Sequence, residues 1–251
     1  MDLTAVLWIA FALSILLSSF VQSAMGFGYA LVALVALTQF MGVREANLVV
    51  SFSAFVPIIY AAWMNRQELD RRLFGICVLF SALLMPIGLY VFETISADLL
   101  MRGTGVIILL LAVDGLREKA DRAGSLGWNR FWAAVAGGAS GFMTGAVSIG
   151  GPPIIIFAAK QKWSASQFKA FVTMFLLMLT FFKGAGVVIA GLLTKEILIM
   201  AAVSIPFGYI GGWLGDRTTR HIDKNQFRRI ALMLLVAMSV LMIFRGSPGN
   251  S

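Results

Sequence analysis

One cysteine, Cys77, and one histidine, His221, are all that this chain offers toward thiol or imidazole chemistry. No disulfide can close within the chain, and no Cys- or His-based metal cluster or nucleophile–base set can be assembled. No cofactor and no metal is implied, and a membrane-embedded enzyme is disfavoured. Charge is also scarce: 13% of the residues are charged, and only 12 are acidic against 20 basic. Soluble domains carry about a quarter charged residues, so a sizeable soluble domain is excluded. What is abundant is apolar surface, with 59% hydrophobic residues and a mean hydropathy of +0.89. Apolar runs of bilayer-spanning length recur along the whole chain. The expected fold class is an all-α polytopic membrane protein. The net charge of +8 does not point to nucleic acid. The basic residues sit in short loops beside apolar spans, where they set topology, and no basic stripe with interleaved aromatics is present.

The N-terminal apolar stretch, Leu3 to Leu17, is preceded by Met-Asp with no Lys or Arg, unlike a cleaved signal peptide. Full spans are expected near 48–65, 73–92, 99–116, 168–192, 195–215 and 227–244. Residues 3–40 and 131–159 are each too long for one ordinary span, and each is broken by glycine, at SAMGFGYA (23–30) and GAVSIGGPPIII (145–156). Sliding the chain by 122 positions lays SSFVQSAMGFGYA (18–30) on SGFMTGAVSIGGP (140–152) and Gln39 on Gln161. At a slightly different offset, PIG at 86–88 meets PFG at 206–208. An internal duplication is expected, with halves 1–116 and 131–245 joined by a cytoplasmic linker at 117–130.

The basic residues give the relation between the halves. If each broken segment crosses once, nine basic residues fall on one side and ten on the other, which is no bias. If each enters and leaves on the same side as a hairpin, the loops at 66–72, 117–130, 160–169 and 217–229 share a face. That face carries fifteen basic residues against four, Lys183 set aside. Both termini are then outside, the loops are cytoplasmic, and the halves are inverted repeats. Each half is a glycine-broken hairpin followed by three spans.

Unpaired backbone in lipid survives only where protein or water reaches it. The two breaks should therefore line a central cavity. The second half-helix, begun near Gly150 with Pro152 and Pro153 in its first turn, should aim its N-terminus at the midplane, as should the first near Phe27 to Ala30. Two such positive ends suit a small anion. Candidate binding residues are Gln22, Ser23, Gly26, Phe27, Gly28 and Tyr29 from the first break, and Thr144, Ser148, Gly150 and Gly151 from the second. Gly137, Gly141 and Gly145, with Gly208, Gly211, Gly212 and Gly215, read as packing ridges. Lys183 lies about 12 residues before Lys195, roughly 18 Å along a helix at 1.5 Å per residue. That places it near the midplane, where an ammonium is expensive and a candidate for anion contact. The bland alternative ends the helix at Phe182 and lets Lys183 snorkel. Trp63, Trp128, Trp132 and Trp163 read as interfacial residues.

The glycine breaks GFG (26–28) and SIGGPP (148–153), together with the twofold repeat, resemble the TauE/SafE family of sulfite exporters and related anion permeases. The resemblance covers nearly the whole chain. The first half departs from the family's three consecutive glycines, since Phe27 and Tyr29 interrupt them and reshape the tip. The resemblance implies a transporter in the inner membrane exporting sulfite, sulfoacetate or a related sulfonate. Its partners would be the anion and the lipid bilayer. A membrane potential negative inside contributes about 2.3 kcal/mol per charge per 100 mV to an anion leaving the cell, so export needs no coupling ion. An anion channel with the hairpins as its filter is the alternative.

Overall fold

A computed structural model describes the chain continuously over residues 3–64, 69–94, 129–161 and 163–219, with scattered positions within 96–113 and 233–244. The expected spans 99–116 and 227–244 fall largely outside the described residues, and the linker apart from its last two residues, Trp128 and His221 fall outside them entirely. The described residues form helices with no strand. In chain order these are α1 (Leu3–Met25), α2 (Tyr29–Leu37), α3 (Val43–Ser53), α4 (Phe55–Met64), α5 (Arg71–Thr94), α6 (Asn129–Val147), α7 (Gly151–Ala159), α8 (Ala165–Ile189) and α9 (Lys195–Thr219). Among the described residues, five stretches are long and apolar enough to cross a membrane: Val6–Met25, Arg44–Met64, Arg71–Val91, Ser166–Ile189 and Lys195–Thr218. The protein is a multi-pass membrane protein.

The helix ends follow from local chemistry. Helix α1 stops where Gly26 and Gly28 take φ of +83° and +103°, a region open to glycine at little cost. Asp70 Oδ1 accepts from the amides of Arg72 and Leu73, both at 3.1 Å, and so starts α5. Helix α8 begins in a capping box: the Gln167 amide donates to Ser164 Oγ at 3.1 Å, and Gln167 Oε1 accepts from the Ser164 amide at 2.9 Å. The span expected from residue 48 starts earlier, at Val43, because Gly42 is extended and the polar Arg44–Glu45 pair fits a solvated first turn. A one-residue irregularity at Ala54 separates α3 from α4. It lies where Pro57 has no N–H to give to Ser53.

Side chains are distributed inside out. Leu13, Leu83, Ile87 and Ile189 are exposed, while Ser18, Gln22, Asn47, Ser140, Thr144 and Lys183 are buried. An apolar outer face with polar residues inside is the arrangement a bilayer selects.

Helix α5 packs along α6, and α1 packs along α9. Both seams run on glycine. A Cβ on Gly137 or Gly141 would overlap the backbone of Cys77 or Ser81, and one on Gly211 would overlap the Leu16 carbonyl. The two seams share one contact atom for atom. A Cβ on Gly88 would meet the Phe142 carbonyl and the Ala146 amide; one on Gly215 would meet the Phe20 carbonyl and the Ala24 amide. Phe20 and Ala24 slide onto Phe142 and Ala146 at the 122-residue offset. Packing thus makes Gly215 the counterpart of Gly88, two helical turns beyond the Gly208 that the PIG/PFG match selects; Gly208 instead faces Val56 and Pro57. The glutamine match repeats in the same way: Gln39 donates to the Val35 carbonyl at 2.8 Å, and Gln161 to that of Phe157 at 3.3 Å.

Trp163 is not a plain interfacial anchor. Its ring lies 4.6 Å from that of Phe171 and 6.4 Å from that of Phe157, in an aromatic cluster that covers α7. Trp63 and Trp132 are exposed, as their interfacial reading requires.

Candidate functional site

Both breaks are single turns of irregular backbone followed by short helices. At the first, the Gln22 side chain bridges the gap: Nε2 donates to the Gly26 carbonyl at 3.1 Å, and Oε1 accepts from the Tyr29 amide at 3.2 Å. The Gln22 amide thus replaces the backbone bonds that the break removes. Tyr29 Oη donates to Ser53 Oγ at 2.8 Å, which fixes the tip against α3. Because the Tyr29 amide is taken, the donors left in the first turn of α2 are those of Ala30 and Leu31, which have no acceptor within the helix.

At the second break, Ser148 has φ of +60°, the only non-glycine residue in that region among those described. Gly150 precedes α7, and Pro152 and Pro153 occupy its first turn. The prolines bring no N–H and so leave no unpaired donor at those two positions. A Cβ on Gly150 would overlap Thr144 Oγ1 and sit 2.6 Å from the Ser140 carbonyl, so close packing of α7 on α6 needs glycine there.

The two tips face a cavity of about 60 Å³. Helices α3, α4 and α8 complete its wall. Among the candidate residues, Gln22, Phe27, Gly28, Tyr29, Thr144, Ser148, Gly150, Gly151 and Lys183 line it; Ser23 and Gly26 do not. Ser23 turns toward α9, where its Oγ lies 3.6 Å from a Cβ built on Gly212. Gly26 lies against the Lys169 side chain. The lining pairs across the 122-residue slide: Phe27 with Ile149, Gly28 with Gly150, Ala54 with Leu176, and Ile58 with Thr180.

Lys183 is 3% exposed. Helix α8 runs past it to Ile189, so the alternative in which the helix ends at Phe182 does not hold. It lies less than two turns from that end, nearer than the expected span to 192 placed it. Gly191, at φ +68°, turns the chain after the helix. Lys183 Nζ donates to Asn47 Oδ1 at 2.7 Å, to the Thr144 carbonyl at 3.1 Å and to Ser148 Oγ. Ser148 Oγ donates in turn to Asn47 Oδ1 at 3.0 Å. Three neutral oxygens accept from Nζ, and they come from both halves of the chain. Hydrogen bonding of this kind is what makes a buried lysine tolerable.

Asn47 was not among the candidates. It stands one residue before the apolar run that begins at 48, and only the early start of α3 draws it into the membrane segment. The available signal was the slide itself, which lays Asn47 on Lys169 and Gly26 on Ser148. The structure pairs them crosswise: Asn47 bonds to Ser148, and Lys169 covers Gly26.

No curated protein and no solved structure matches the chain. A family model described as sulfite exporter TauE/SafE matches residues 11–242. A match of that extent takes in both breaks, the cavity between them and Lys183, so the chain belongs to the TauE/SafE sulfite exporter family of membrane transporters.

Proposed function

We propose that the protein exports a small oxyanion, sulfite or a compact sulfonate, that binds in the cavity between the two breaks. The observation that carries this reading is Lys183, a buried basic side chain at the wall of a small, otherwise largely apolar cavity in a membrane transporter. In a low-dielectric surround one positive group attracts an anion far more strongly than it would in water. The Ala30 and Leu31 amides, at the positive end of α2, add donors to the lining. An anion entering this cavity takes the place of one of the oxygens now on Lys183. The Ser148 hydroxyl and the Asn47 amide are the exchangeable ones, since the Thr144 carbonyl belongs to the backbone of α6.

The two halves are read as inverted repeats that move against each other. The recurring seams at Gly88 and Gly215, and the crosswise Asn47–Ser148 and Lys169–Gly26 contacts, support a common build for both halves. Such a pair has two equivalent conformations that expose the cavity to opposite sides. With both termini outside and the basic loops in the cytoplasm of a cell with an inner membrane, the potential drives the anion outward.

The test is sulfite flux from proteoliposomes. Lys183→Met should lower flux at limiting sulfite by about 10- to 100-fold, the loss expected for one hydrogen bond to a charged group. Unchanged flux and half-saturation would remove Lys183 from the site. Sulfite flux no faster than in protein-free vesicles would overturn the substrate assignment.

A further inference from the structure

Lys183 and Asn47 also border a second cavity, of about 40 Å³, whose remaining wall is apolar and includes Leu89 of α5, Val187 of α8, and Ala190 and Leu192 beyond it. We propose that this cavity is a second binding station for the same class of ligand, a compact oxyanion. It lies between the central cavity and the connection from α8 to α9, and the Asn47–Lys183 contact is the partition. The inference rests on the anion reading of the central cavity.

The geometry carries it in three steps. Lys183 is the basic residue common to the linings of both cavities. An anion can therefore pass from one to the other without leaving its partner. Asn47 lines the second cavity and not the central one, and both of its hydrogen bonds use Oδ1. Its amide NH₂ is thus the donor it has to offer on the far side of the partition. No acidic residue stands in the lining of the second cavity, and its apolar wall leaves the field of Lys183 little screened. The space holds a few waters at ~10–15 Å³ each, or one compact oxyanion. Transfer then requires only that Asn47 Oδ1 leave Nζ while an anion oxygen takes its place and the NH₂ group turns to the anion.

Charge-selective labelling tests this in purified protein. Ala190→Cys and, separately, Leu192→Cys place a thiol at the rim of the second cavity; the wild-type chain, whose Cys77 is fully buried, is the blank. Each is reacted with an anionic sulfonatoethyl and a cationic trimethylammonioethyl methanethiosulfonate. The anionic reagent should be favoured by about tenfold over the ratio at a free thiol, a preference worth about 1.4 kcal/mol. Millimolar sulfite should slow it. Lys183→Met should abolish the preference, and so should Asn47→Asp, whose carboxylate neutralises Lys183. A free-thiol ratio at both positions, or a preference indifferent to Lys183, overturns the second station. Sulfite flux without charge selectivity overturns the second station alone. Charge selectivity and sulfite protection in a protein that moves no sulfite leave the station standing and remove the transport reading.

Discussion

Ser148, at φ +60°, shares the left-handed region with Gly26 and Gly28 but carries a side chain there. An L-residue pays about 1–2 kcal/mol for that conformation. The hydroxyl offsets it by accepting from Lys183 and donating to Asn47. The two contributions can be separated. Ser148→Ala keeps the backbone strain and loses the hydroxyl, whereas Ser148→Gly loses both. The glycine variant should unfold in detergent at about 1 kcal/mol higher stability than the alanine variant, while both bind sulfite more weakly than wild type. Equal stabilities would mean that residue 148 is not held in the left-handed region. Gly26 faces a parallel constraint, since a Cβ there would be strained and would stand 2.9 Å from Lys169 Cγ.

At the scale of elements, the α5–α6 seam decides how closely the halves' helices meet. Gly141 lies on the Ser81 backbone, whereas a Cβ on Gly151 would find Ile155 Cδ1 as its nearest neighbour, at 3.2 Å. Gly141→Val should therefore cost at least 1–3 kcal/mol, as overpacking does. Gly151→Ala, in the first turn of α7, should leave thermal unfolding nearly unchanged. Comparable losses in the two variants would contradict the seam. The same contrast shows what the sequence could reveal of these glycines. A four-residue spacing reads as a ridge at Gly137, Gly141 and Gly145, and they pack as one. The spacing does not name the facing helix, because register along a neighbour is set by contact. The match of PIG with PFG therefore picks Gly208 where packing picks Gly215.

For the molecule as a whole, the charge count and the recurring seams bear on one question, the relation of the halves. On the proposed topology the basic loops are cytoplasmic and both chain ends lie on the outer face. Membrane-impermeant labels at Met1 and Ser251 in intact cells should both react. Reaction at one end only would exclude two inverted halves of equal span number, whatever the chain transports. The potential gives a second check at this scale. Outward sulfite flux should rise with an inside-negative potential, since each charge gains about 2.3 kcal/mol per 100 mV.

Composition, hydropathy and the two glycine breaks determined the membrane class, the positions of the breaks and the family, because apolar run length and backbone permissiveness are local properties written residue by residue. The 122-residue slide also named the facing parts of the cavity, Gly28 with Gly150 and Phe27 with Ile149. What it left open belonged to three dimensions. That Gln22 straps the first break and Asn47 holds Lys183 depends on which polar atoms lie within about 3 Å of one another. Residues that share a hydrogen bond across 136 positions of chain, as Asn47 and Lys183 do, leave no periodicity to read. Only the packing of α3 against α8 brings them together, and with them the wall between two cavities.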